Sequence, residues 1–342
     1  MSVSVIVITR DEAPRLALAL ASLEAARRAG TEVIVVDDGS RDATPAILDD
    51  AAARAPIERV THATARGRSA ARNAGAARAS GEILMFLDGD VLLGPDSIDK
   101  HIAIHRTQPT CIGRGEQYHL RCTRLFKDPR SGVAMPGQEQ RVARMSTAEL
   151  AQNLVTEAQV RDDFAAIVRR AEVGIYPGSA PRLLAEVELA GLRANPDSPI
   201  AWVAACSNNL SVPRALFDEV GGFDPALSIN EHRELAFRLV QHGAAMHVAE
   251  GARSYHLTHR TGWRDPLDDT EWERQFWARH PSRAVALLAV FWRSLARDPL
   301  IPPEAQIASL ADFERAARGD HPFDFMALRR THPKLGALPG SA

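Results

Sequence analysis

Residues 83–90 read Ile83-Leu84-Met85-Phe86-Leu87-Asp88-Gly89-Asp90. Five apolar side chains run without interruption, then two carboxylates flank one glycine. A short apolar run closed by a turn is the pattern of a strand buried on both faces, as in a parallel sheet. Residues 2–9 form another such run, and residues 32–36 a third that closes at Asp37-Asp38-Gly39-Ser40. Residues 57–61 give a weaker one. Between them lies helical spacing, in residues 14–28 (Leu16, Leu20, Leu23), 43–54, 68–79 and 95–105. Strands separated by helices of this size predict parallel crossovers with helices on both sheet faces. Ligands of such sheets bind beyond the carboxyl ends of the strands, where both acidic clusters fall.

The pattern changes after residue 116. Residues 148–171 and 181–192 read as amphipathic helices joined by Tyr176-Pro177-Gly178-Ser179, which predicts a helical insertion over residues 117–199. A strand is expected at 200–205, a helix at 231–242 and a strand at 244–249, with His256 and His259 just beyond it. Four segments follow: a first half of the sheet domain (1–116), the insertion (117–199), a second half (200–262) and a helical extension (263–342) containing Trp263, Trp272, Phe276, Trp277, Phe291 and Trp292.

The composition is that of an ordinary globular protein: 342 residues, 45% hydrophobic and 25% charged, enough for a sizeable core. The net charge of −2 argues against nucleic acid or an anionic membrane as the main partner. Of 41 basic residues only Lys100, Lys127 and Lys334 are lysines. Cys111, Cys122 and Cys206 are too few and scattered for a disulfide framework or a cysteine zinc site, so a cytoplasmic setting is expected. The N-terminal apolar run lacks a preceding basic region and reads as a strand, not a signal peptide. Residues 284–292 are too short to span a bilayer. Residues 284–295, edged by Arg283, Arg293 and Arg297, are apolar enough to lie on a membrane surface if they do not pack on the core.

Asp88 and Asp90 offer hard oxygen ligands at a strand end, and Gly89 lets the chain turn so that both approach one site. Such a pair suits Mg²⁺ or Mn²⁺ carrying a diphosphate, or is a solvated acidic turn. Asp37 or Asp38 can accept from a base or ribose hydroxyl, with a plain Asp-Gly turn as the bland alternative. Residues 66–75, with Arg66, Arg68 and Arg72, open a helix whose N-terminus favours phosphate, or form a solvated basic face. Glu231 and His232 open the late helix and are candidates for a general base. Ser228 and Glu231 are also spaced as a capping box. His256 or His259 could add an imidazole metal ligand.

Taken together, the segments at residues 5–12, 35–44, 67–75, 86–90, 209–214 and 219–224 resemble, in order and spacing, glycosyltransferase family 2. The resemblance covers residues 2–110 and 200–260. It implies a GT-A fold: a Rossmann-like mixed sheet flanked by helices. It implies a metal-dependent (Mn²⁺ or Mg²⁺), inverting transfer of a sugar from a nucleoside diphosphate donor, UDP-linked, to an acceptor hydroxyl on a glycan, lipid-linked, peptide or natural-product acceptor. Thr9, Glu12, Asp37 or Asp38, Arg72, Asp88 and Gly89 would line the nucleotide-sugar pocket, with Asn208 and Asn209 facing the sugar or acceptor. Asp88 and Asp90 would hold the metal. The family's late-helix acidic pair reads Glu-Asp, with the aspartate as base; here it reads Glu231-His232, so Glu231, His232 or neither takes that role. The late-helix run from Glu231 to Arg238, with His256 downstream, is also similar to retaining polypeptide N-acetylgalactosaminyltransferases, which implies His256 as third metal ligand. A non-catalytic nucleotide-sugar-binding protein on the same fold and a retaining transferase are the alternatives. A nucleotidyltransferase is disfavoured because Thr9-Arg10-Asp11-Glu12 has no glycine-rich phosphate loop.

Overall fold

The computed structural model describes residues 1–175, 181–259, 265–335 and 338. Tyr176 to Ser179, read as a joint between helices, and Trp263 lie outside the described residues. The first half holds β1 (Val3–Thr9), α1 (Ala13–Ala26), β2 (Thr31–Asp37), α2 (Thr44–Arg54), β3 (Glu58–Thr61), α3 (Arg68–Ala76), β4 (Ile83–Asp88), β5 (Val91–Leu93), α4 (Ser97–Thr107) and β6 (Ile112–Leu120). Then come β7 (Phe126–Asp128), β8 (Val133–Ala134), the short helices α5 (Glu139–Ala143), α6 (Thr147–Asn153), α7 (Glu157–Asp162) and α8 (Phe164–Val168), and α9 (Leu184–Ala194). The second half holds β9 (Leu210–Pro213), α10 (Arg214–Glu219), α11 (Glu231–Gln241) and β10 (Met246–Leu257). The extension is α12 (Glu271–Arg279), α13 (Arg283–Leu295), α14 (Leu310–Arg318) and α15 (Phe325–Thr331).

Eight strands form one mixed sheet in the order β3-β2-β1-β4-β9-β6-β10-β5, flanked by helices. β1, β2, β3 and β4 are parallel, and β9 runs antiparallel to β4 and β6. The register sets Thr9 opposite Asp37 and Ile8 opposite Asp88, so the two acidic strand ends share one edge. β10 pairs parallel with β6 and antiparallel with β5, which puts His256 between His119 and Val91. The amide of Leu257 donates to the Asp90 carbonyl at 2.8 Å and holds the two chain stretches together directly.

The core explains the strand signals. Val5, Ile6, Val7, Ile34, Val35, Val36 and Leu84 to Leu87 have no exposed surface. Gly75 lets α3 lie against β1, since a Cβ there would come within 2.5 Å of the Ile6 Cγ2 methyl.

Several expectations change. β6 runs through the 116/117 boundary, so the insertion begins only after that strand. The helix expected over 148–171 is broken into α6, α7 and α8; Ser146 with Glu149 and Thr156 with Gln159 form separate capping boxes that restart it. Residues 201–204 form a 3-10 turn, not a strand, although all four are buried. β10 is longer than expected and contains His256. The apolar stretch proposed for a membrane surface is core: every residue from Val285 to Ser294 in α13 is buried, at about 1.5–3 kcal/mol for each large side chain. Among the described residues no helix is long and apolar enough to cross a membrane.

Candidate functional site

The carboxyl edge of the sheet opens into a cleft made of three cavities of about 400, 290 and 230 Å³ with shared walls. The first is bordered by Thr9, Glu12, Asp38, Gly67, Arg68, Asp88, Gly89 and Asp90. The second contains Arg72, Asn208, Glu231, His232 and His256.

Two residues around the cleft adopt left-handed backbone without being glycine: Asp11 (φ 55°) and Asn230 (φ 63°). Such strain gathers where geometry is over-determined by its surroundings. Asp11 accepts from the Arg41 amide at 2.6 Å, and Asn230 starts α11, turning Glu231 and His232 towards the cleft. α11 begins at Glu231 with Asn230 as its N-cap, so Ser228 and Glu231 do not hold the N-cap and N3 positions of a capping box, and Glu231 instead enters the ion pair described below.

In the first cavity, Asp38 accepts from the ring of His62 at 2.7 Å and from the amides of Arg66 (2.8 Å) and Gly67 (2.9 Å). Burial pushes its carboxyl up, but these donors outweigh burial and hold it below its ordinary value. The chain entering α3 is thereby fixed, with Arg68 exposed at its start. Thr9 Oγ1 is buried without a partner among the described residues. Glu12 is held by Arg15 at 2.9 Å; burial outweighs the nearby His259 and Arg15 charges and raises its carboxyl. Gly89 is required by space: a Cβ would meet Thr9 Cβ and Oγ1 at 3.0 Å and the Ile8 carbonyl at 3.1 Å.

Asp90, His256 and His259 converge at the junction of the first two cavities. His259 Nε2 lies 2.8 Å and His256 Nε2 3.4 Å from Asp90 Oδ2, and His259 Nδ1 is 3.5 Å from Glu12. Burial alone would push the Asp90 carboxyl up; the two imidazoles outweigh it and hold it well below the usual range. Burial pushes the His256 ring down, and Asp90 outweighs this and raises it. One carboxylate oxygen and one nitrogen from each ring lie within 4.8 Å of one another, and Asp90 Oδ1 is buried with no partner among the described residues. The residues fit a divalent cation, and two imidazoles with one carboxylate suit Mn²⁺ better than Mg²⁺. A cation there would displace the ring protons.

Asp88 does not join this group. Arg72, 1% exposed, donates through Nη2 to Asp88 Oδ1 at 2.8 Å and through Nη1 to Glu231 Oε1 at 2.6 Å. The expected metal carboxylate is thus one end of an ion bridge, and the expected nucleotide arginine borders the second cavity, not the first. Burial opposes ionisation of Glu231, but His232 and Arg72 hold its carboxyl far below the ordinary range. His232 is driven down to about 4, first by burial and also by Arg233 and Arg72, against the pull of Glu231. Its Nε2 lies 2.8 Å from Arg233 Nη1; the guanidinium can only donate, so the neutral ring carries its proton on Nδ1.

Two further expectations are corrected. Asp37 is buried and accepts from the Ser40 amide at 2.9 Å, shaping the turn without lining a cavity. Asn209 is a fully buried strut: it accepts from His101 at 2.8 Å and donates to the carbonyls of Glu116 (3.2 Å) and Ala252 (2.8 Å). Asn208 does line the second cavity. In sequence His259 stands beside His256 as a candidate metal ligand, with His256 preferred, and Arg68 lies in the phosphate-favouring helix start, but neither is among the expected site residues. The signal for His259 was a second histidine three residues beyond His256, past the end of β10, where alternation no longer decides direction.

Residues 4–172 match the family described as Glycosyl transferase family 2. A curated relative, the validoxylamine A glucosyltransferase of Streptomyces hygroscopicus subsp. jinggangensis, is 27% identical over 305 residues, covering 87% of this chain. The chain spans 64% of that relative's length. Among solved structures, S. aureus TarS 1–349 in complex with UDP-GlcNAc aligns with TM-score 0.56 at 15% identity, over 96% of this chain and 83% of that one. The mannosyltransferase PcManGT of Pyrobaculum calidifontis, in complex with GDP-Man and Mn²⁺, aligns with TM-score 0.54 at 18% identity, over 97% of this chain and 81% of that one. These likenesses establish the shared fold.

Proposed function

The chain belongs to glycosyltransferase family 2 and has its GT-A fold, and from that premise we propose that it moves a sugar from a nucleoside diphosphate donor to an acceptor hydroxyl with inversion, assisted by a divalent cation. The observation that carries this reading is the meeting of Asp90, His256 and His259 beside a cavity walled by Thr9, Asp38 and Arg68. The UDP-GlcNAc and GDP-Man complexes of the structural neighbours support a nucleotide-sugar donor; UDP sugars are the first to test.

Asp38 and Thr9 would receive the nucleoside, and Arg68, at the start of α3, would face the diphosphate, where a guanidinium and a helix N-terminus both favour anions. Asp90, His256 and His259 would hold Mn²⁺ or a similar cation, which when bound supplies charge neutralisation for a departing diphosphate. Asn208 would meet the sugar or acceptor. Glu231 is our choice as the proton acceptor. It is ionised and borders both the second and third cavities, whereas His232 has its free ring nitrogen engaged by Arg233. Arg72 weakens Glu231 as a base, so the acceptor proton would move late, as the diphosphate leaves and the hydroxyl becomes acidic.

The test pairs transfer and donor-hydrolysis assays across UDP and GDP sugars with Mn²⁺ titration of wild type and Asp90→Ala. Loss of Mn²⁺ binding together with turnover supports the reading; unchanged turnover in Asp90→Ala refutes it. Tight donor binding with no turnover on any acceptor would favour the non-catalytic alternative, and an anomeric proton of retained configuration would replace inversion.

A further inference from the structure

The third cavity, about 230 Å³, lies beyond Glu231 and His232 on the side away from the metal-ligand cluster. Its walls are largely apolar, with Leu184, Ile229, Leu267 and Leu295 among them. Into this lining is set Glu188, 2% exposed, whose Oε1 accepts from Arg233 Nη2 at 2.8 Å. The Arg233 guanidinium stands 4.7 Å from the ring centre of Trp292, another wall residue. Burial raises the Glu188 carboxyl against the pull of Arg233 and Arg114.

Two residues bordering this one cavity carry buried nitrogens without partners among the described residues, Asn230 Nδ2 and Trp292 Nε1, while His232 Nδ1 faces Glu231 Oε1 at 3.8 Å. Both orphaned groups are N–H donors. Each unsatisfied buried donor costs about 1–3 kcal/mol, and native proteins keep few of them without a reason.

We propose that this cavity is the acceptor subsite and that it takes one neutral cyclic polyol, a sugar or cyclitol ring. The proposal rests on the transferase reading above and deepens it. A hydroxyl both donates and accepts, so ring hydroxyls can donate to the Glu188 carboxylate and accept from the orphaned N–H groups together. The C–H faces of the ring suit the apolar walls. Charge selects against a cationic acceptor: Arg68, Arg114, Arg182 and Arg233 outnumber Glu188 and Glu231 on the lining. Size selects against a long chain, since sites for drug-sized ligands run about 300–1,000 Å³. A ring held here would present a hydroxyl at Glu231, which both cavities share.

Saturation-transfer NMR with D-glucose and myo-inositol, against 1-hexanol and a serine peptide, tests this without requiring turnover. Wild type should receive saturation on the cyclic polyols and not on the other two. Leu184→Trp, which fills the cavity from a partly exposed position, should abolish the signal, and Glu188→Gln should weaken polyol binding about tenfold. Thermal melts report whether each variant folds; if Glu188→Gln does not, Leu184→Trp decides. No polyol signal in wild type, or equal signals in wild type and folded Leu184→Trp, overturns the assignment. Calorimetry of UDP, UDP-glucose and GDP-mannose with wild type separately reports the donor side, so failure of the transferase reading is seen apart from failure of the subsite.

Discussion

Replacing Arg72 with methionine should separate the two roles of the site's central ion bridge. Methionine keeps much of the arginine volume and its packing beside Phe223, whose ring centre lies 5.4 Å from the guanidinium, while removing the charge. Two charge-assisted hydrogen bonds, at 2.6 and 2.8 Å, disappear. Asp88 is 31% exposed and can turn to water, so its loss is small. Glu231 is 2% exposed and would remain a buried anion with the neutral His232 and the Arg68 charge left to offset its burial. Stripping one partner from a buried pair costs about 3–5 kcal/mol, and urea denaturation at pH 7 should show a loss of that order. The pH dependence has a definite sign. In wild type the folded Glu231 carboxyl lies below its unfolded value, so its stabilisation is full above the unfolded pKa and fades as pH falls through the folded one. In the variant, burial without Arg72 raises the folded pKa above the unfolded value, so Glu231 destabilises at neutral pH and less so in acid. The gap between the two proteins should therefore narrow from pH 8 to pH 4. A loss under about 1 kcal/mol, or a gap independent of pH over that range, would refute the assignment of this bridge as the main support of Glu231.

Asn209→Ala should cost roughly 2–4 kcal/mol from its three hydrogen bonds while donor affinity by calorimetry stays that of wild type; a large loss of affinity in the folded variant would return Asn209 to the binding site. Burial holds His101 down at about 4 and His105 at about 3. Stability should therefore be full above pH 6.5 and fall as pH drops towards 4, by roughly 3 kcal/mol from His101 alone. Thermal melts that stay level over that interval would contradict it. Gly89→Ala should lower stability by about 1–3 kcal/mol through the forced contact with Thr9 and weaken donor binding; melts and calorimetry identical to wild type would show that the turn relaxes freely.

The alternation of buried apolar runs with helical spacing was enough to place Asp38, Asp88 and Asp90 at one sheet edge, because strand burial and helical period are written in neighbouring residues. Six short segments in the right order were enough to point to the family. What each polar group faces was not written locally. Asp88 and Asp90 are two residues apart, yet Arg72 takes one and His256 and His259 take the other. That division depends on β10 pairing with β5, across more than 150 residues of chain. Asn208 and Asn209 are adjacent, yet one lines the cleft and the other disappears beneath it. The apolar stretch in α13 could have covered a membrane or a core, and only the surrounding helices decided that it is core. Periodicity fixes which face of an element is buried; long-range register fixes its neighbours, and a carboxylate's neighbours determine its charge, its ligand and its chemistry.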